Sequence, residues 1–377
     1  MGPGEEVWNR FGHNAIWIHD EATGEDLVWN WGIFSFSQTG FVPRLVRGEM
    51  LYSMYGYTLS QTLAQYEAEG RDVWAQELAL TPAQKVDLDR LIRRNAQPAN
   101  RDYIYHYYLD NCSTRVRDAL DAVLGGGIEQ HFSGIATETT WRWHTRRLVQ
   151  MAPLVYGGIA LVLGQRGDET ISAHEEMFLP MRLRAHLAGF FVEQRDGTMR
   201  PLVLGESVLV DGGRELPPEA PDRKWPLYLL FGLVASAGVV LVGAFWSRGG
   251  AGRAIAAAPV AVWSLLAGVS AAVLLGAYLT DHTFWFRNEN VLQATPLSLL
   301  VGLLVLGSVV RPRLAGLAAR LALVAAALSL VGLGLKLLPM FSQQNAEILS
   351  LAVPLHLAVA FVLHRWAADR PGSAPGA

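Results

Sequence analysis

Hydrophobic residues are distributed along this chain in two different ways. Up to about position 215 they come in short runs, some alternating with the period of a strand and others recurring with the period of a helix. From Trp225 onward they form long stretches nearly free of charge. The first pattern predicts a folded α+β domain and the second a bundle of membrane-spanning helices.

Within the first part, residues 13 to 34 predict a β-hairpin: AIWIH and LVWNWGIF are aromatic and β-branched, and the turn-forming DEATGED separates them. An irregular aromatic stretch follows, SFSQTGFVPRLVRGEMLYSMYGYT. Ser60 is placed to cap the helix LSQTLAQYEAEG, which Gly70 ends, and DVWAQELAL alternates like a strand. TPAQKVDLDRLIRRNAQP carries a marked helix start, with Thr81 as N-cap, Pro82 in the first turn and Gln84 for a capping box. DYIYHYYLDN reads as a strand leading into a helix that begins at Cys112 and stops at Gly125 to Gly127. Residues 138 to 165 predict helix, and their apolar run MAPLVYGGIALVLG is too short to span a bilayer comfortably. The neighbouring Trp141, Trp143, Arg146 and Arg147 suit a lipid surface. SAHEEMFLPMRLRAHLAGF predicts one amphipathic helix, FFVEQRDGTMRPLVLGESVLV a hairpin turning at Asp196 and Gly197, and RELPPEAPDRK a linker.

Five spans are expected, at about 226 to 246, 254 to 279, 294 to 310, 314 to 338 and 346 to 363. Arg248 with Arg253, Arg311 with Arg313, and Arg365 with Arg370 fall on one side, whereas the other carries mainly Arg287 and Lys336. By the positive-inside rule the first side is cytoplasmic, which puts the N-terminal domain and the loop DHTFWFRNENVLQ outside. Trp225, Trp246 and Trp285 fall at the expected interfaces. The expected division is therefore a domain at 1–215, a linker at 216–225, a bundle at 226–364 and a cytoplasmic tail at 365–377. The opening MGPGEEVWNRFGH lacks the basic segment and apolar core of a signal peptide, so an apolar leader and a first strand are expected upstream of it.

Composition narrows the chemistry. A net charge of -3 without a long basic run gives no sign of nucleic-acid binding. The single cysteine excludes an intramolecular disulfide, and the absence of a CxxC pair, an HExxH helix or a nucleotide loop implies no metal and no cofactor. That cysteine, Cys112, stands at a helix N-terminus, where unpaired N–H groups and the helix dipole favour a thiolate; a buried structural cysteine is the alternative. Acyl transfer through a thiol also needs a base, a group to orient it and donors for the oxyanion. His13 follows Gly12 and opens a strand, a rigid place for a base, with His106 as rival. Asn30 can orient His13 if the hairpin register puts both on one face; Asn14, Asn111 and Asp110 are further candidates. Asn111, Ser113 and Thr114 flank the thiol as oxyanion donors or support.

FGHNAIWI with a downstream WNWGIFSF, an aromatic segment ending in YGYTLSQ, and then YLDNCSTRVRD resembles the periplasmic N-terminal domain of the Lnb family of bacterial lipoprotein N-acyltransferases. The resemblance covers about the first 210 residues. It implies a circularly permuted papain-like fold, like that of the lecithin:retinol acyltransferase group, in which the histidine strand precedes the cysteine helix. It makes Cys112 the nucleophile and His13 the base. It also implies a phospholipid acyl donor, a lipoprotein acceptor and a place in the bacterial inner membrane. The segment DHTFWFRNENVLQATPL resembles a family segment, so His282, Asn288 and Asn290 are expected, with Trp141 and Trp143, to meet substrate on the membrane side. A membrane-anchored cysteine hydrolase, acting as peptidase, amidase or phospholipase, and a non-catalytic membrane scaffold are the rival readings.

Overall fold

The structure, a computed structural model, describes residues 1–193 and 197–368. Asp196 of the expected hairpin turn and the tail from 369, including Arg370, lie outside the described residues. The chain forms two compact units. One comprises Met1–Ala152 and Glu169–Pro221, the other Pro153–Asp168 and the chain from Asp222 onward.

The first unit opens with the hairpin β1 (Ala15–Asp20) and β2 (Glu25–Ile33). Asp20 Oδ1 accepts from the N–H groups of Ala22 and Thr23, which holds the turn and sets the register Ala15↔Asn30 through Asp20↔Glu25. The stretch expected to be irregular instead contains α1 (Phe41–Arg47) and β3 (Leu51–Thr58). LYSMYGYT buries little beyond Met54, so its alternation is weak, and pairing with β2 makes it a strand. Thr58 rather than Ser60 caps α2 (Leu59–Ala68), because Gln61 completes a capping box only with Thr58. β4 (Val73–Leu78) and α3 (Pro82–Asn95) follow, the latter with the expected Thr81–Gln84 box.

Of DYIYHYYLDN only β5 (Asp102–Ile104) is strand; the rest turns, with Asp110 N–H donating to the His106 carbonyl at 2.9 Å. Then come α4 (Cys112–Val123), α5 (Gly127–Phe132), β6 (Ala136–Thr140) and α6 (Trp141–Val149). The helix expected over 138 to 165 breaks at Pro153, and α7 (Pro153–Val162) belongs to the second unit. β7 (Thr170–Ser172), α8 (Ala173–Glu176) and α9 (Pro180–Ala188) return to the first unit, Pro180 starting α9 afresh where one helix was expected. β8 (Phe191–Glu193), β9 (Met199–Pro201) and β10 (Val203–Val210) complete it. The main sheet is antiparallel in the order β1-β2-β3-β5, while β10 pairs with β4. Its core gathers Trp31, Met54, Ile92, Val116 and Leu120 where α4 lies against β1 and β2.

The second unit is helical: α10 (Trp225–Gly243), α11 (Gly249–Gly276), α12 (Pro296–Val310), α13 (Ala315–Leu335) and α14 (Ala346–Ala368). Four segments are long and apolar enough to cross a membrane; the first, Trp225–Leu279, contains both α10 and α11. The polarity is inverted relative to a soluble bundle. Small residues such as Ala256, Ala257, Ala318 and Ala322 pack inside, while Leu230, Leu266, Leu303 and Phe361 face outward. Trp246, expected at an interface, is buried and stacks on Trp366 at 4.2 Å, so it packs the bundle instead. α7 joins this unit because Asn288 and Asn290 satisfy its last carbonyls: their amides donate to Leu161, Val162 and Ala160.

Candidate active site

Cys112 is the first residue of α4, and Asn111 fixes that start. The Asn111 side-chain oxygen accepts from Ser113 N–H at 2.8 Å and Thr114 N–H at 3.0 Å, while Thr114 Oγ1 accepts from Asn111 N–H at 2.8 Å. Its amide donates to the carbonyls of Tyr107, at 2.7 Å, and Phe178, at 3.0 Å. Asn111 is thereby fully committed as a cap, and the amides of Ser113 and Thr114, expected as oxyanion donors, are spent on it. Ser113 Oγ donates to the Met177 carbonyl at 2.7 Å and accepts from Asn14 Nδ2 at 2.9 Å. These residues hold the helix end that carries Cys112 and tie it to the chain beside β1.

The opposite wall comes from the hairpin. Gly12 has φ +80°, a left-handed turn that a side chain resists, and it brings His13 into line ahead of β1. His13 Nε2 lies 3.0 Å from Asn30 Oδ1. The register Ala15↔Asn30 supplies the shared face on which this pairing depended. Asn30 Nδ2 donates to Val28 O at 2.9 Å, which assigns the oxygen to the His13 side. His13 must then carry its proton on Nε2, leaving Nδ1 as the basic nitrogen. Gly32, with φ +89°, sits in the irregularity of β2; a Cβ there would come within 3.4 Å of Cys112 Cβ. Glycine lets the strand and the thiol helix approach.

Cys112, His13 and Asn30 line one cleft of about 450 Å³, with rings of Phe34, Tyr52, Tyr105 and Tyr107 in its walls. Burial pulls His13 down to about 4, against the opposing effect of the Asn30 hydrogen bond. Burial likewise raises the Cys112 thiol, opposed by backbone N–H groups of Asn14, Ser113 and Cys112 itself. At neutral pH the site holds a neutral imidazole and a neutral thiol. The backbone amides of Asn14 and Cys112 are not used by the helix cap, and both favour the charged form of the thiol.

The structure removes the other candidates from the chemistry. His106 Nδ1 accepts from the N–H groups of Tyr108 and Leu109 at 3.2 and 3.1 Å and so caps its own turn. Asp110 is held by Arg115, with 2.6 Å from Nη2 to Oδ2. Trp141 is buried against Phe178 at 4.8 Å and Tyr108 at 5.3 Å, and most of α6 around it is buried, so the lipid-facing role expected of Trp141 does not hold. Trp143 is partly buried, its ring 4.9 Å from that of His144. In the second unit His282 stacks on Trp285 at 4.3 Å, and Asn288 and Asn290 are buried. Their side chains are taken up by the end of α7, by Gln343 and by Asn345, with 2.8 Å from Asn345 Nδ2 to Asn290 Oδ1. They hold the fold rather than present polar groups to a ligand.

Sequence reasoning passed over two features. Asn14 is a sequence candidate only for orienting a base, yet its side chain donates to Ser113 Oγ and its backbone amide opposes the rise of the Cys112 thiol. Glu176 accepts from His144 at 2.9 Å and His186 at 2.7 Å, which holds its carboxyl well below the usual range despite burial. It anchors the 177–179 turn that receives Ser113 and Asn111. The cluster spans positions too far apart in sequence to signal itself. Among the described residues no group of three or more His, Cys, Asp or Glu is placed to hold a metal ion.

The family model of the Lnb N-terminal periplasmic domain matches residues 1–148, which contain Cys112, His13 and Asn30. No curated protein and no solved structure matches the chain. The chain is thus a multi-pass membrane protein in which a segment similar to the Lnb N-terminal periplasmic domain precedes four membrane-capable segments.

Proposed function

We propose that this protein is a cysteine-dependent acyltransferase of the bacterial inner membrane, which moves a fatty acyl chain from phospholipid through a Cys112 thioester to the N-terminal amine of a lipoprotein. The observation that carries this reading is the tautomer fixed by Asn30, which leaves His13 a basic Nδ1 in the cleft that Cys112 lines. As sulfur attacks the ester carbonyl carbon, His13 takes the thiol proton, and the amides of Cys112 and Asn14 receive the oxyanion. Collapse breaks the C–O bond, and the imidazolium returns its proton to the leaving alkoxide. The acceptor amine then attacks the thioester carbonyl and gives a proton to His13, and the departing thiolate is reprotonated. The antiparallel sheet against a cysteine-headed helix, with histidine earlier in the chain, supports the permuted papain-like reading.

Five crossings fit the packing of the bundle. Gly232 of α10 lies against Ser350 and Gly243 against Val362, so α10 runs parallel to α14. α11 runs antiparallel to α12, Gly268 meeting Leu299 and Gly302 meeting Leu265. With short connections reversing the chain around α13, α10 and α11 are opposed and Trp225–Leu279 crosses twice. The Trp246–Trp366 stack puts Arg248 and Arg365 at one end, whereas Lys336 at the other is paired with Glu289 at 2.6 Å. This charge bias supports a cytoplasmic Arg-rich end and a periplasmic catalytic unit.

The test is mass spectrometry of a lipoprotein N-terminus after incubation with the purified protein and phospholipid carrying isotopically labelled acyl chains. Labelled N-acyl lipoprotein is expected with the intact chain and not with Cys112→Ala. Release of labelled fatty acid without amine acylation would make the protein a hydrolase, and an unlabelled N-acyl product would assign the donor to another ester.

A further inference from the structure

Phe36 and Trp8 are 64% and 60% exposed, and Val42 and Val46, one turn apart on α1, are 64% and 62% exposed. α1 is held between left-handed glycines, Gly40 at φ 72° and Gly48 at φ 78°, and none of its residues is buried. Arg44 and Arg47 occupy its last turn and no acidic residue its first. Rings connect this face to the cleft. Phe36 packs edge-on to Phe34 at 4.5 Å, Phe34 stacks on Tyr52 at 5.3 Å, and Tyr52 stacks on Tyr105 at 4.0 Å. Phe34, Tyr52, Tyr105 and Trp8 line the same cleft as Cys112.

We infer that the Phe34–Tyr52–Tyr105 track is the groove that takes the lipid acyl chain, and that the α1 face is the surface through which the catalytic unit docks on an anionic lipid bilayer. The inference rests on the acyltransferase reading for its substrate. A row of aromatic rings running from an exposed face into the cleft that Cys112 lines suits a chain that must leave hydrocarbon while its ester reaches the nucleophile. A face made only to bind a protein would need no such row. The cleft volume lies within the range of small-molecule sites. Arginines beside exposed valines and aromatic rings are the composition of a surface that binds anionic headgroups and inserts apolar side chains between them.

The experiment uses the full chain in vesicles of phosphatidylcholine and phosphatidylglycerol. In a Cys112→Ala background, single cysteines replacing Val42, Val46 or the exposed Val86 of α3 are labelled with an environment-sensitive fluorophore, and quenching by spin-labelled lipid is measured. Quenching at 42 and 46 well above that at 86 is expected; equal quenching overturns the docking face. With Cys112 intact, Val42→Asp combined with Val46→Asp should slow thioester formation from vesicle lipid about tenfold while leaving iodoacetamide alkylation of Cys112 unchanged. An unchanged lipid rate overturns the proposal. Phe34→Ala should slow reaction with a long-chain ester more than with a short soluble one; equal slowing overturns the groove. Fluorophore quenching at 42 and 46 without any thioester in the intact chain would sink the acyltransferase reading and leave the docking face standing.

Discussion

Two buried polar clusters in this molecule are built from similar residues and end differently. In the second unit Asn288, Glu289, Asn290 and Gln343 bind one another and the end of α7; Glu289 accepts from Gln343 N–H at 2.8 Å, Gln165 Nε2 at 2.9 Å and Lys336 Nζ at 2.6 Å. In the first unit Asn111, Ser113, Asn14 and Asn30 are as well bonded, but among the described residues their side-chain bonds leave His13 Nδ1 and the Cys112 sulfur untouched, and His13 and Cys112 line a cleft. Saturation makes architecture, since a polar group removed from water must be bonded or be costly. Chemistry needs a support that is saturated and a few groups that are not. The expectation that Asn288 and Asn290 contact substrate fails on this distinction.

The sharpest break between the clusters is at Cys112 and His13. Cys112→Ser and His13→Ala should each lower acyl transfer by about a thousandfold or more with little change in thermal unfolding, whereas His106→Ala should retain activity. Activity surviving in His13→Ala and lost in His106→Ala would reverse the assignment of the base. On the other side of the comparison, Glu289→Ala removes the charge partner of Lys336, which keeps only the Gln343 carbonyl, and the acceptor of the Gln343 amide. It should destabilise the protein by about 3 kcal/mol in denaturant titrations while Cys112 in the folded fraction keeps its alkylation rate.

Asn30 sits where the two kinds of cluster meet, bonded to the Val28 carbonyl on one side and to His13 Nε2 on the other. Asn30→Ala should cost about 10- to 100-fold in rate. Asn30→Asp should move the acid limb of the pH–rate profile upward, because a carboxylate beside the imidazole stabilises its charged form; an unmoved limb would show that Asn30 does not set His13. The smallest effect is in the intact chain. With His13 held down to about 4, activity should persist to that region instead of falling at the ordinary histidine value of 6.5. Because the folded value lies below the unfolded one, the stability from keeping His13 neutral is full above 6.5 and is lost as pH falls toward 4. Denaturation measured against pH reports that loss, and comparison with a His13→Gln variant isolates it.

What the sequence determined on its own is what is local. The hairpin turn at Asp20 to Gly24, the Thr81–Gln84 capping box, the cysteine at a helix start and the apolar helices follow from residue types within a few positions. Tertiary structure decided whatever depends on which face of an element meets which neighbour. Trp141 reads as interfacial in WRWHTRRLVQ, yet it is core because Phe178 and Tyr108 pack on it from distant parts of the chain. β3 exists because β2 offers a partner, and α7 belongs to the second unit because asparagines about 130 positions later close its end. The pairing of His13 with Asn30 needed the register of two strands, which a one-residue slip would reverse. Helix caps and hydrophobic periods act over one or two turns of chain, whereas burial and register are properties of the assembled surfaces and are set only when those surfaces meet.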